Sequence, residues 1–182
     1  NIMIIGVDAG ALSITDDRLK DGVYRVIVNL LQQLGKLDPN NEYRLYSFAP
    51  IDPALIKSFG SRMKPVLVRP SLAWSRIQLP LHLRLNPVDV FLGLSQFVPP
   101  STARSIGFIY DVNFLRHPEF HPESYRKLKE NTDSLVSRSS RIITISEASK
   151  KDIERYYKNW IPDQVGNDKK GARYDKGKIT VA

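Results

Sequence analysis

Cysteine is absent from these 182 residues, so neither a disulfide nor thiolate chemistry can figure in the fold or in any reaction. Long apolar runs are missing as well. None approaches the ~20 residues that a helical membrane span needs, and no secretory leader is visible. A chain of this kind fits the cytoplasm. Acidic side chains are in short supply: 19 Asp and Glu stand against 27 Lys and Arg, a net charge of +8. That surplus suits an anionic membrane face, nucleic acid, a phosphorylated small molecule, or simply a solvated lysine-rich surface. The basic residues are spread along the chain, apart from clusters at Arg126, Lys127 and Lys129 and at Lys169 and Lys170. No DNA- or RNA-binding signature accompanies them, so nucleic acid is not an expected partner.

Several catalytic signatures are also missing. The absence of G-x-x-x-x-G-K-[ST] excludes a P-loop, and the absence of G-x-G-x-x-G disfavours a nicotinamide or flavin dinucleotide site. No G-x-S-x-G elbow is present, which argues against a Ser-His-Asp hydrolase. There are three histidines, His82, His117 and His121. The last two lie four apart, a spacing that can place two metal ligands on one helix face. Pro118 stands between them in a loop-like stretch and no third ligand is at hand, so no metal site is expected. Internal repeats are absent.

What is present reads as strands alternating with helices. Hydrophobic residues make up 42% and charged residues 25%, ordinary values for a soluble domain with a real core. Residues 2–7 are a continuous apolar run suited to a central parallel strand, ending in Asp8-Ala9-Gly10. From Gly22 the pattern turns helical, with Val23, Val26, Ile27, Leu30, Leu31 and Leu34 three and four apart. Gly35 sits where a helix-ending glycine belongs. The turn signal Asp38-Pro39-Asn40-Asn41 precedes a strand at 43–48. A short helix at 53–59, a strand at 66–69, a partly helical apolar stretch at 71–85 interrupted by Pro80, and a strand at 88–92 follow. Trp74 and Ile77 read as core or domain-interface residues.

The chain is organised around residues 106–157: a strand at 106–110, a Pro-punctuated loop at 112–121, a helix from about Pro122, a strand at 142–145 and a helix at 146–157. Pro122 suits a first helical turn. Ser149 to Asp152 has capping-box spacing, with Ser146 as an alternative cap. Residues 162–178 have no periodicity and read as a mobile loop before a last strand at 179–181. Two strands joined by a helical crossover are parallel. The whole predicts an α/β, Rossmann-like single domain over 1–182, with a mostly parallel sheet of about six or seven strands and helices on both faces. In such sheets ligands bind at the carboxyl ends of strands, here Tyr110-Asp111 and Ser146-Glu147. Asp111 equally suits a turn or a helix cap.

Tyr110-Asp111, His117-Pro118-Glu119 and Thr144-Ile145-Ser146-Glu147, in this order and spacing, resemble the second half of the N-terminal domain of family-4 glycosyltransferases. These are the group 1 retaining enzymes of the GT-B fold. Gly22-Val23-Tyr24-Arg25 and Asn29-Leu30-Leu31 resemble their Gly-Ile-Gly-Arg helix start, with Tyr24 replacing the second glycine. Tyr110 stands where the family has a histidine. The resemblance implies retaining transfer of a hexosyl group from a nucleotide-sugar to a glycan or lipid-linked acceptor, without a metal or other cofactor. It implies that Asp111 and His117 serve catalysis, and that Gly10, Gly22, Arg25, Tyr110, Ser146 and Glu147 bind substrate. No Glu-x7-Glu element occurs. In the family that element belongs to a second, donor-binding domain, so this chain reads as the acceptor-side half and is expected to be inactive alone. The positive charge suits peripheral contact with an anionic membrane at its inner, cytoplasmic face. The competing reading is a non-enzymatic α/β module that binds a small ligand or a protein.

Overall fold

The opening apolar run becomes strand β1 (Ile4–Asp8) in the computed structural model, which describes residues 2–14, 16, 20, 22–120, 122–158 and 178–182. β1 pairs in parallel with β2 (Glu42–Ser47) on one side and with β4 (Val90–Gly93) on the other. From Ile5 onward it is buried, as befits a strand covered on both faces. Its entrance is tied on both sides. Ile4 N donates to Asp89 Oδ2 at 2.7 Å, and Asp89 N returns a bond to the Ile4 carbonyl at 2.9 Å. Met3 N donates to Asn41 Oδ1 at 2.9 Å, and Glu42 N to the Met3 carbonyl at 3.0 Å.

β2 pairs in parallel with β3 (Met63–Leu67), so a first compact unit, Asn1–Ser95 with Pro99–Arg104, carries strands in the order β3-β2-β1-β4. A second unit, Gln96–Val98 with Ser105–Ala182, carries β5 (Arg104–Ile109), β6 (Arg141–Thr144) and β7 (Ile179–Val181), adjacent and parallel in that order. The fold is therefore α/β and Rossmann-like, with seven strands among the described residues, at the upper end of the expected count.

In the first unit, α1 (Gly22–Leu37) buries Ile27 and Leu31 from the apolar row read in the sequence. α2 (Pro53–Phe59) begins on Asp52, whose side chain accepts from Ala54 N at 2.8 Å, with proline at its first position. A π-helical turn, Trp74–Gln78, leads into α3 (Leu79–Leu85). Leu79 and Leu83 pack with Tyr46, Trp74, Val88 and Phe91. The chain steps outward from β1 to β2 to β3 and then returns past them to β4. Right-handed crossovers consequently place α3 on the face opposite α1 and α2.

Two expectations shift here. Gly35 does not end α1, which runs on to Leu37. A Cβ at Gly35 would run into the Phe59 carbonyl oxygen at the end of α2, so glycine is needed for the approach of two helices. The strand expected at 66–69 is Met63–Leu67 instead. It contains Pro65, which a strand tolerates at the outer edge of a sheet, and β3 is outermost in its unit.

In the second unit the 112–121 loop holds a short helix, α4 (Asn113–Arg116), and a 3₁₀ turn, Pro118–Phe120. The long helix, α5 (Tyr125–Arg138), starts three residues later than the proline suggests. α6 (Glu147–Tyr156) follows β6. Ile109, Ile142 and Ile179, one from each strand, form the core with Leu135 and Val136 of α5 and Ile153 of α6. A Cβ on Gly107 would overlap the Leu135 side chain and come within 2.6 Å of Ser139 Oγ, so α5 rests directly on β5 at this glycine. Lys178, buried just before β7, donates from Nζ to the Val136 carbonyl at 2.8 Å in the last turn of α5. Apart from Lys178, the expected loop at 162–178 lies outside the described residues.

Candidate functional site

The carboxyl edge of the first unit begins at Asp8, the last residue of β1. Its side chain is buried, 3% exposed. Burial, which disfavours the charged form, pushes its pKa above the ordinary aspartate value. The Gly10 amide, donating to Oδ1 at 3.2 Å, and the nearby Ser95 oppose that push. The Ser95 hydroxyl is itself buried, yet meets no partner at hydrogen-bonding geometry. Gly10 opens a 3₁₀ turn, Gly10–Ser13, and a Cβ there would sit 3.1 Å from the Phe48 ring. Phe48 packs edge-on against Trp74, centroids 5.8 Å apart.

Gly22 is the first residue of α1 and is exposed, with nothing within 4 Å of where a Cβ would stand. Arg25 is exposed one turn on. Beside this turn lies a cleft of about 530 Å³ lined by Leu12, Ser13, Tyr24, Pro50 and Asp52, with the Lys20 ammonium 5.4 Å from the centre of the Tyr24 ring. Within this unit, then, Gly10 lies against the buried carboxylate, whereas Gly22 and Arg25 stand on the exposed start of a helix.

The second unit brings four of the sequence candidates to one edge. Ile109 of β5 is level with Thr144 of β6. The residues that follow, Tyr110-Asp111 and Ile145-Ser146-Glu147, consequently leave the sheet side by side at its carboxyl end. Tyr110 is half-buried, its ring 5.9 Å from that of Phe108. Asp111 is exposed. Its Oδ1 accepts from Asn113 N at 2.9 Å, an Asx turn that starts α4, and its carbonyl accepts from Gln96 Nε2 at 3.3 Å. Ser146 is the N-cap of α6: its Oγ accepts from Ser149 N at 3.1 Å and lies 3.0 Å from Ser149 Oγ. This settles the capping choice in favour of Ser146. Glu147, exposed in the first turn, sits where a helix dipole favours a negative charge.

His117 ends α4. Its Nδ1 lies 3.1 Å from Glu119 Oε1 and its ring centre 5.5 Å from that of Phe120. The backbone and His117 together hold the Glu119 carboxyl below its usual range. Asp111 and His117 each have their own local partner, and neither is bonded to the other. Among the described residues no group of three His, Asp or Glu side chains could hold a metal ion; His121 lies outside them.

Asp8 and Ser95 escaped the sequence reading as site residues. The available signal was an aspartate closing an apolar strand and a serine shortly after another strand, both at the edge where ligands of α/β sheets gather. No family model matches the chain, and no curated protein matches it.

Proposed function

We propose that this chain forms the acceptor-side half of a retaining glycosyltransferase that moves a hexosyl group from a nucleotide-sugar to a glycan or lipid-linked acceptor, in polysaccharide assembly in the cytoplasm. The single observation that carries the reading is the register of β5 and β6, which sets Tyr110-Asp111 beside Ser146-Glu147 at the carboxyl edge of a parallel sheet. Asp111 Oδ1 is held by the Asn113 amide, leaving Oδ2 to accept from a sugar hydroxyl. Tyr110 supplies a phenolic donor where the family has a histidine. His117, with Nδ1 turned to Glu119, presents Nε2. Ser146 and Glu147 mark a helix start that can meet further hydroxyls, while Gly10, Gly22 and Arg25 serve the phosphate side. In this reading the nucleotide-sugar is held mainly by a separate donor-binding domain, and no metal takes part. No helix of the described residues is long and apolar enough to cross a membrane, and the protein would meet one peripherally.

A specific observation favours the second reading, a non-enzymatic binding module. Asp111, His117 and Ser146 are each explained locally, as a turn, a ring pair and a cap. Ligand-observed NMR of the chain with a panel of glycans, lipid-linked sugars and nucleotide-sugars separates the two. The transferase reading expects saturation transfer to an acceptor sugar, lost in Asp111→Asn, a change that keeps the turn's acceptor but not the charge. Joined to its donor domain, the same variant should lose about 10²-fold or more in transfer rate. Sugar binding that is absent, or unchanged transfer in Asp111→Asn, would sink the transferase reading and favour the module.

A further inference from the structure

In the second unit, α4, α5 and the end of α6 border a pocket of about 270 Å³. Leu115 of α4, Tyr125, Lys129 and Asp133 of α5, and Tyr156 and Tyr157 at the end of α6 line it. The three residues from α5 are four apart and stand on one stripe of that helix. None of Tyr110, Asp111, His117, Ser146 or Glu147 lines the pocket.

The side chains here are held to different degrees. Tyr157 is 3% exposed, and its hydroxyl donates to Asp133 Oδ1 at 2.9 Å. Burial, and then that bond, pushes its phenol above the ordinary value, so it remains a donor. Lys129 Nζ donates to Asp133 Oδ2 at 2.6 Å. Tyr125 is half-buried and packs edge-on against the buried Phe114, ring centres 6.2 Å apart. Tyr156 is 40% exposed. The bond from Tyr157 to Asp133 would by itself clasp α6 to α5. It does not account for an open pocket beside it, bordered by an exposed tyrosine ring and a partly exposed ammonium.

The chemistry of the lining narrows the occupant. The Lys129 ammonium opposes a cationic guest and the Asp133 carboxylate an anionic one. A neutral molecule with an apolar face and adjacent hydroxyls suits both the rings and the ion pair. An ionised carboxylate can accept more than the two bonds it has here, and an ammonium can donate more than one, so the pair can still meet neighbouring hydroxyls. The volume lies below the ~300–1,000 Å³ of sites for drug-sized ligands, which suits a single sugar ring and not a whole nucleotide-sugar.

We propose that the pocket between Tyr125, Tyr156 and the Lys129–Asp133 pair binds one neutral hexopyranose ring of a glycan. The C–H face of the ring lies on Tyr156, and adjacent hydroxyls bond to Lys129 Nζ and the Asp133 carboxylate. This is a second site, separate from the edge at Tyr110 and Asp111, and it does not depend on sugar transfer. A glycan here is held, not transformed.

The test is protein-observed NMR of the chain titrated with the methyl glycosides of glucose, mannose and galactose. At least one should shift the signals of Tyr125, Lys129 and Tyr156 with a Kd of about 1 mM. Glycerol, which has hydroxyls but no ring, should not. Tyr156→Ala should weaken binding about fivefold or more, while Tyr156→Phe, which keeps the ring, should stay near the parent. Lys129→Met should weaken it about fivefold. Tyr156 is exposed, so its variants should melt near the parent. The edge is read separately, from Tyr110 and Asp111. Asp111→Asn should leave the pocket titration unchanged, and its effect on saturation transfer is measured in the Tyr156→Ala background, where the edge dominates. No shift at Lys129 and Tyr156 with any of the three glycosides, an equal response to glycerol, or an unchanged titration in Tyr156→Ala overturns the proposal. So do shifts confined to the edge, which would leave the transferase reading standing without this site.

Discussion

Replacing Gly35 by alanine puts two effects of known sign against each other. In the interior of α1, alanine is the better helix former by about 1 kcal/mol, so a reading of the helix alone expects stabilisation. The structure expects the reverse. The new Cβ would fall on the Phe59 carbonyl oxygen, with the Phe59 carbonyl carbon 2.9 Å away. The obstacle is backbone, not the free end of a side chain, and cannot turn aside. It belongs to the last residue of α2, whose Phe59 ring is 1% exposed and fixed in the core. Relief therefore requires moving α2 away from α1, an overpacking cost of about 1–3 kcal/mol, plus the packing that Phe59 loses as it moves. The net is a loss of about 1–2 kcal/mol, a fall of roughly 2–8 °C in Tm for a chain of this size. Urea unfolding followed by circular dichroism should show a lower midpoint with an unchanged slope. An alanine variant as stable as the parent, or more so, would refute the close approach and return Gly35 to the role of a helix stop.

Three further substitutions probe other parts of the structure. Asp38 accepts from the Tyr43 hydroxyl at 2.7 Å and from Asn41 Nδ2 at 2.7 Å, which lower its pKa from 3.8 to about 2. Its contribution is fully present above pH 3.8 and is lost as pH falls toward 2. Asp38→Ala should accordingly lower Tm at pH 6 and show a shallower acid limb between pH 4 and 2; an identical acid limb would count against the turn. Asp8 has a raised pKa because it is buried. The folded protein thus pays for its charge above that pKa and is relieved as pH falls below it. Asp8→Asn should stabilise the protein at pH 7 and do so less at pH 4, and a loss of stability at pH 7 would mean that its neighbours more than satisfy the carboxylate. Ser146→Ala removes the cap of α6 and should cost about 1 kcal/mol, whereas Ser149→Ala, outside the N-cap position, should cost less; the opposite order in thermal melts would reverse the capping assignment.

The legible parts of this fold are those set by local chemistry. The three-and-four spacing from Val23 to Leu34 gave α1, and the continuous apolar runs gave the strands. The Asp-Pro-Asn-Asn turn is held by Asp38 Oδ1, which accepts from the amides of Asn40 at 3.3 Å and Asn41 at 3.2 Å. The misreadings occurred where a distant segment decides. Pro65 belongs in a strand only because β3 is outermost in its unit, and nothing near residue 65 announces that. Gly35 looks like a stop until α2 is laid across it. The short helix Asn113–Arg116 was hidden by the prolines around it, although Asp111 was a ready-made turn acceptor for its start. Asp8 is the clearest case. An aspartate after an apolar strand is ordinarily a solvated turn residue; what buries it is the neighbourhood of Gly10, Phe48 and Ser95, the last of which lies beyond β4. The candidate edge of the second unit was readable because both strands and the helix between them fall in one short stretch of sequence.

The position of β1 between β2 and β4 also bears on how the chain is made. β2 follows β1 closely and can pair with it early. The other edge waits for β4, and the bond between Ile4 and Asp89 spans 85 residues. At roughly 5–20 residues per second of synthesis, about 4–17 s pass before that partner emerges. Throughout that interval a buried-type strand shows an open row of N–H and C=O groups to whatever is near, in a sheet whose long-range pairing is slow to begin with. The ribosome-bound chain is therefore most vulnerable to chaperone capture, or to pairing with a neighbouring nascent chain, after Ser47 and before Val90. The last turn of α3 is the final element to appear before that edge can close.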